Sequence, residues 1–145
     1  MAIRLAGPGD VPRLLEIERA AFGPSDRLGA EDMAAALEQP LTTAVLTDRR
    51  KVVAFATIVP ARKTKLCVVN LAVDPARQRQ GHGRRLIDWL RRRTEAAEVY
   101  SYVAAEWLPA QLWLRSLRFT CTDTVFAGGR EFLLFSWLRP RKAKK

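Results

Sequence analysis

Apolar residues change their spacing several times along this chain, and each change marks an element. "IRLAG" (3–7) alternates and predicts a short first strand. Val11, Leu14, Leu15, Ala21 and Phe22 recur at helical spacing, so residues 9–22 predict a helix with Asp10 placed as its cap. "GPSD" breaks that pattern, and "AEDMAAALEQP" (30–40) predicts a second helix ending at Pro40. "TTAVLT" (42–47) and "KVVAFATIVP" (51–60) predict strands joined by a turn at "DRR". "KLCVVNLAV" (65–73) is apolar from Leu66 onward except at Asn70, which predicts a central strand covered on both faces.

Asp74-Pro75 stops this strand, and a helix is expected from about Gly81 to Ala97. Leu86, Ile87 and Leu90 form its inner stripe, with Arg84, Arg85, Asp88, Arg91 and Arg92 on its wet face. "VYSYVAA" (99–105) predicts a strand, and residues 109–119 a helix opening at Pro109. Residues 122–138 predict a hairpin turning at Gly128-Gly129. The order is β-α-α-β-β-β-α-β-α-β-β, an α/β chain without internal repeats. A single domain is expected over residues 1–138, followed by a basic tail, "RPRKAKK" (139–145).

Composition changes this picture in two ways. The formal charge of +10 predicts attraction to anions: nucleic acid, acidic lipid, acidic protein or a phosphorylated cofactor. Cys67 and Cys121 sit in strand-like segments and are expected to be free, buried thiols in a reducing compartment. One His and two distant Cys give no metal-ligand spacing, so no metal is expected. Without an apolar leader or a membrane-length apolar run, the chain is expected in the cytoplasm with no membrane span.

Charge is densest where the chain also bends. Between Arg77 and Arg93 lie seven arginines, one acid, and two glycines spaced two apart. A strand that ends, a glycine turn and a helix start together make an anion site, because the first helical N–H groups have no helical partner. The dinucleotide fingerprint would need glycine where Leu86 stands, and the Walker loop would need Gly-Lys-Ser/Thr. What remains is Gln78-x-x-Gly81-x-Gly83 after a strand ending in Asp-Pro.

"NLAVDPARQRQGHGRRLIDWL" resembles the acetyl-CoA segment of the GNAT superfamily of N-acetyltransferases. "LEIERAAFGPSD" resembles the substrate-side helices of the branch that acetylates protein N-termini, including the ribosomal-protein alanine acetyltransferases. "QLWLRSLRF" resembles the late helix. The likeness covers most of residues 2–138, with its specific part at 70–86. It implies a mixed, mostly antiparallel sheet of about seven strands flanked by about four helices, and acetyl-CoA as cosubstrate.

Carried over by position, the pyrophosphate wrap would come from Gln78, Arg79, Gln80, Gly81, His82, Gly83 and Arg84. Leu71, Ala72 and Val73 would offer strand backbone to the pantetheine arm. The chemical half departs from the family. Its usual Tyr acid falls at Leu114, its Glu positions at Cys67 and Tyr102, and a cofactor-contacting Asn at Trp107. Tyr102 and Asn70 are then the candidate catalytic residues. Tyr100 shares the strand face of Tyr102, and Glu106 is a base or a rim charge. Asn70 either ties down a neighbouring loop or faces the substrate.

The implied partner is an amine acceptor, a protein N-terminus or a small molecule. The basic tail adds an anionic macromolecule as a further candidate. Two other functions compete: an acyl-CoA-binding module that has lost its acid, and a nucleic-acid-binding domain suggested by charge alone.

Overall fold

The computed structural model describes residues 1–23, 43–62 and 64–140. Among them are seven strands: β1 (Ala2–Leu5), β2 (Thr43–Asp48), β3 (Lys51–Arg62), β4 (Lys65–Val73), β5 (Glu98–Ala104), β6 (Thr120–Ala127) and β7 (Arg130–Leu138). Three α-helices accompany them: α1 (Val11–Ala21), α2 (His82–Arg93) and α3 (Leu108–Ser116). The strands form one sheet in the order β1-β2-β3-β4-β5-β7-β6. β1/β2, β2/β3, β5/β7 and β6/β7 pair antiparallel. β4 and β5 run parallel, with Lys65–Cys67 opposite Glu98–Tyr100. The expected helix over 30–40 lies outside the described residues.

Contacts group into two compact units. The first comprises Met1–Val59 and Val69–Arg93. Its core joins Leu14 and Ile17 of α1 to Val45, Val52, Phe55 and Ala72 of the sheet. The predicted stripe of α2, Leu86, Ile87 and Leu90, is buried. The second unit comprises Pro60–Val68 and Thr94–Lys145, where Leu66, Val99, Leu114, Leu117, Phe119 and Phe135 are buried.

Both hairpin turns fall where the sequence placed them. Gly128 and Gly129 take φ of 58° and 73°, angles that glycine adopts without penalty. The β2–β3 turn instead places Arg49 and Arg50 at φ of 52° and 68°.

Five expectations are corrected. Asp10 does not cap α1; it accepts the Gly7 amide at 2.8 Å and pairs with Arg4 at 2.7 Å. α2 stops at Arg93 because the amides of Ala97 and Glu98 are committed to the Thr64 carbonyl. α3 closes early, with Arg118 left-handed at φ 70° while the amides of Arg118 and Phe119 return to the carbonyls of Arg115 and Leu114. β4 is not covered on both faces, since Val69 is 43% exposed. Cys121 is exposed, not buried, because β6 lies at the sheet edge with nearly every residue in solvent.

Candidate active site

In the first unit, β4 runs into a loop fixed at both ends. At its start, the Asp74 amide donates to the Val53 carbonyl at 2.8 Å. The Asp74 carboxylate accepts the Ala76 amide at 3.0 Å and the Arg13 guanidinium at 2.6 Å. Arg13 also donates from Nε to the Val52 carbonyl at 3.0 Å. The Arg13 hydrogen bond, with the Ala76 amide, holds the Asp74 carboxyl below its ordinary range. A 3-10 turn, Pro75–Arg77, follows, and Gln78 Nε2 donates back to the Val73 carbonyl at 3.3 Å.

Arg79 and Gly81 then take φ of 64° and 79°. A Cβ at Gly81 would meet nothing within 4 Å, so this glycine is required by its backbone angle and not by crowding. α2 begins at His82, and the Arg85 amide donates to the Gly81 carbonyl at 3.1 Å. By helix geometry the amides of His82, Gly83 and Arg84 have no carbonyl four residues back. Left-handed residues set before such amides make an anion-binding concavity, and the helix dipole adds positive charge there. Gln78, Arg79, Gln80, Gly81 and Arg84 are exposed, while His82 and Gly83 are buried. The donor set suits a pyrophosphate.

His82 is held from within. Its Nε2 lies 3.1 Å from Gln80 Oε1, which also accepts Arg77 Nε at 3.3 Å. The arginine Nε is always a donor, so Oε1 must face both groups and His82 Nε2 must carry the hydrogen. Burial, then the Arg77 and Arg85 charges, push the His82 pKa down. Sequence reading missed this arrangement. Arg77 pairs with Asp48 across 29 positions, and local patterning carries no signal for such a pair.

Asn70, Leu71, Ala72 and Val73 precede the loop on β4. Leu71 and Val73 are half-buried and Ala72 is buried. Neither amide atom of the Asn70 side chain finds a partner among the described residues, although both are buried. Among the described residues, Asn70 ties down no neighbour through its side chain. Leaving such a group unpaired costs roughly 1–3 kcal/mol, which a bound ligand could recover.

The second unit carries the other candidates. Tyr102 is 47% exposed, and its ring meets Tyr100 edge-on with centroids 5.9 Å apart. Burial raises the pKa of both Tyr100 and Cys67, which stand opposite each other in the β4/β5 register. Leu114 is buried. Glu106 is exposed and paired with Arg130 at 2.8 Å, which marks it as a rim charge. Its own backbone amide and Arg130 hold its pKa down, so it is a poor base. Gln111, buried on α3, donates to the carbonyls of Ala104 and Ala105 at 3.3 and 2.8 Å, fixing the helix to the end of β5.

The model of the acetyltransferase (GNAT) domain family matches residues 39–120, more than half of the chain. The chain belongs to the GNAT acetyltransferase family. No curated protein sequence gives a significant match. Among solved GNAT-like structures, the ribosomal-protein-S18-alanine N-acetyltransferase of Escherichia coli superposes with a TM-score of 0.80 at 24% identity, covering 99% of this chain and 96% of that one. Ard1 of Thermoplasma volcanium gives a TM-score of 0.85 at 18% identity, over 97% and 98% of the two chains. The yncA protein of Salmonella typhimurium, solved with its cofactor acetyl-CoA, gives 0.75 at 20% identity, over 100% and 97%. These identities establish a shared fold: α/β, with a seven-stranded, mostly antiparallel sheet.

Proposed function

We propose that this GNAT protein is an acetyl-CoA-dependent N-acetyltransferase acting on α-amines, such as a protein or peptide N-terminus. The observation that carries the proposal is the left-handed Arg79 and Gly81 set immediately before the N-terminus of α2. In this reading His82, Gly83 and Arg84 donate backbone N–H groups to the pyrophosphate. Gln78, Arg79 and Gln80 line its approach. Leu71, Ala72 and Val73 present strand backbone to the pantetheine arm, and the Val73 region polarises the carbonyl to be attacked. Acetyl-CoA supplies the activated acyl thioester.

The preference for α-amines follows from proton chemistry. An α-amine has a pKa of roughly 7.7–8.0, so a useful fraction is neutral at physiological pH. A lysine amine, near about 10.4, needs a base. β4 holds no carboxylate, and Glu98 of β5 is engaged with Lys65 at 3.5 Å. Tyr102 is the exposed phenol that relays the departing proton to water through Oη, and Asn70 orients the acceptor with its unspent amide. The likeness to the E. coli S18-alanine enzyme supports the same acceptor class. The free Cys67 and Cys121 support a reducing, cytoplasmic setting.

The buried Leu114 favours a second reading, an acyl-CoA-binding module without turnover. One experiment addresses both. Purified protein and acetyl-CoA are given matched peptides that offer either a free N-terminus or only a lysine side chain, with binding followed by calorimetry. Faster acetylation of the free N-terminus is expected, and Tyr102→Phe should slow it several-fold. Faster lysine acetylation would refute the α-amine assignment. Binding without turnover on either peptide would establish the module.

A further inference from the structure

We infer that Arg77 is a positioning residue for the pyrophosphate loop, acting through Asp48 and Gln80. The inference rests on the acetyl-CoA reading of that loop. Arg77 ends the 3-10 turn and spends its guanidinium in two directions. One terminal nitrogen pairs with Asp48 Oδ2 at the end of β2, and Nε donates to Gln80 Oε1 at 3.3 Å. Gln80 Oε1 in turn accepts His82 Nε2–H at 3.1 Å. The chain Asp48–Arg77–Gln80–His82 therefore runs from a sheet strand to the first residue of α2.

Between its last three members lie Arg79 and Gly81, the two left-handed residues. A non-glycine residue such as Arg79 pays roughly 1–2 kcal/mol to be left-handed, so its neighbours must hold it there. Arg77 and Gln80 straddle Arg79, and Gln80 and His82 straddle Gly81. The side-chain bonds thus close across each unusual backbone angle. Arg13 and Asp74 perform the corresponding service at the other end of the turn, at 2.6 Å. Arg77 and Asp48 are only partly exposed, 30% and 26%, so their pair is better shielded from water than a free surface pair.

The guanidinium fork matters because one group must serve two acceptors, Asp48 Oδ2 and Gln80 Oε1. Lysine can pair with Asp48 but offers no rigid second donor to Gln80. The test compares the parent with Arg77→Met, Arg77→Lys and Asp48→Asn. Amide hydrogen exchange is measured on the ligand-free proteins, and acetyl-CoA KM and kcat on the active ones.

In Arg77→Met, exchange over residues 85–88, the first amides of α2 with a helical carbonyl to bond, should rise about tenfold while residues 98–104 and 130–138 keep the parent's rates. KM for acetyl-CoA should rise about tenfold with kcat within about twofold. Arg77→Lys should recover less than half of the effect. Asp48→Asn, which keeps the shape of its parent, should show the same local pattern at smaller size and serves if Arg77→Met does not fold. Unchanged exchange over 85–88, or an equal rise in all segments, overturns the inference. A parent that neither binds nor turns over acetyl-CoA would sink the proposed function, while the exchange pattern would still decide the role of Arg77.

Discussion

His82 opens α2 at 2% exposure, with Nε2 donating to Gln80 and Nδ1 unpartnered among the described residues. Burial is the first cause of its lowered pKa, ahead of Arg77 and Arg85, whereas Asp48 acts in the opposite sense. The sign of the pH effect follows. An unfolded His82 takes up a proton near its ordinary value of about 6.5, and the folded one only at lower pH. Its contribution to stability is therefore full above about pH 6.5 and is lost as pH falls toward the folded value. Urea midpoints should drop between pH 7.5 and 5, and His82→Asn should flatten that dependence. An identical pH profile in the variant would show that His82 is not the titrating group. Gly81 gives a second residue-scale prediction. Open space surrounds its missing side chain, so Gly81→Ala is disfavoured through φ alone, by about 1 kcal/mol. Acetyl-CoA affinity should fall with the loop angle while the sheet remains native by circular dichroism. Unchanged affinity would mean that the left-handed turn does not shape the site.

At the scale of elements, the chain is least economical where α3 ends. The Phe119 amide reaches the Leu114 carbonyl at 3.0 Å, and the Arg118 amide reaches that of Arg115 at 3.0 Å. This double closure places Arg118 at φ 70°, where glycine is usual. Arg118→Gly should stabilise the protein by roughly 0.5–1 kcal/mol, read as a higher denaturant midpoint with unchanged slope. A lower midpoint would indicate that the arginine side chain contributes more than its backbone angle costs. The same comparison explains what was legible in the sequence. Gly128-Gly129 and Gln78-x-x-Gly81-x-Gly83 could be found because glycine advertises an unusual angle in one dimension. Arg49, Arg50, Arg79 and Arg118 adopt the same region without any such mark. The apolar run of β4 suggested cover on both faces, yet apolar side chains tolerate burial without guaranteeing it, and Val69 is exposed. Asp48 and Arg77 are separated by 29 positions, so neither residue revealed the other before the fold brought them together.

At the scale of the molecule, the 25 lysines and arginines divide between those with structural duties and those that supply the net charge of +10. Arg4, Arg13, Arg77 and Arg130 belong to the first class, each paired with a carboxylate. Arg139 joins them by a different route. The expected tail starts at this residue, but its amide donates to the Ala97 carbonyl at 2.8 Å and its guanidinium donates to Ala96 and Thr94 at 3.0 and 2.7 Å. The same guanidinium lies 5.4 Å from the Trp137 ring centroid. Arg139 is thus tied to the residues that precede β5, and two truncations test what those bonds contribute. Removing residues 140–145 takes away Arg141, Lys142, Lys144 and Lys145 and should leave the thermal midpoint within error. Removing 139–145 should also cost about 1 kcal/mol, the scale of a few partly exposed charge-assisted hydrogen bonds. Both truncations should weaken salt-sensitive binding to RNA or another polyanion if the basic stretch has such a partner, and they should weaken it alike. Acetyl-CoA binding through the α2 loop should survive in both. Equal stability of the two truncated proteins would mean that the Arg139 bonds add nothing to the stability of the fold.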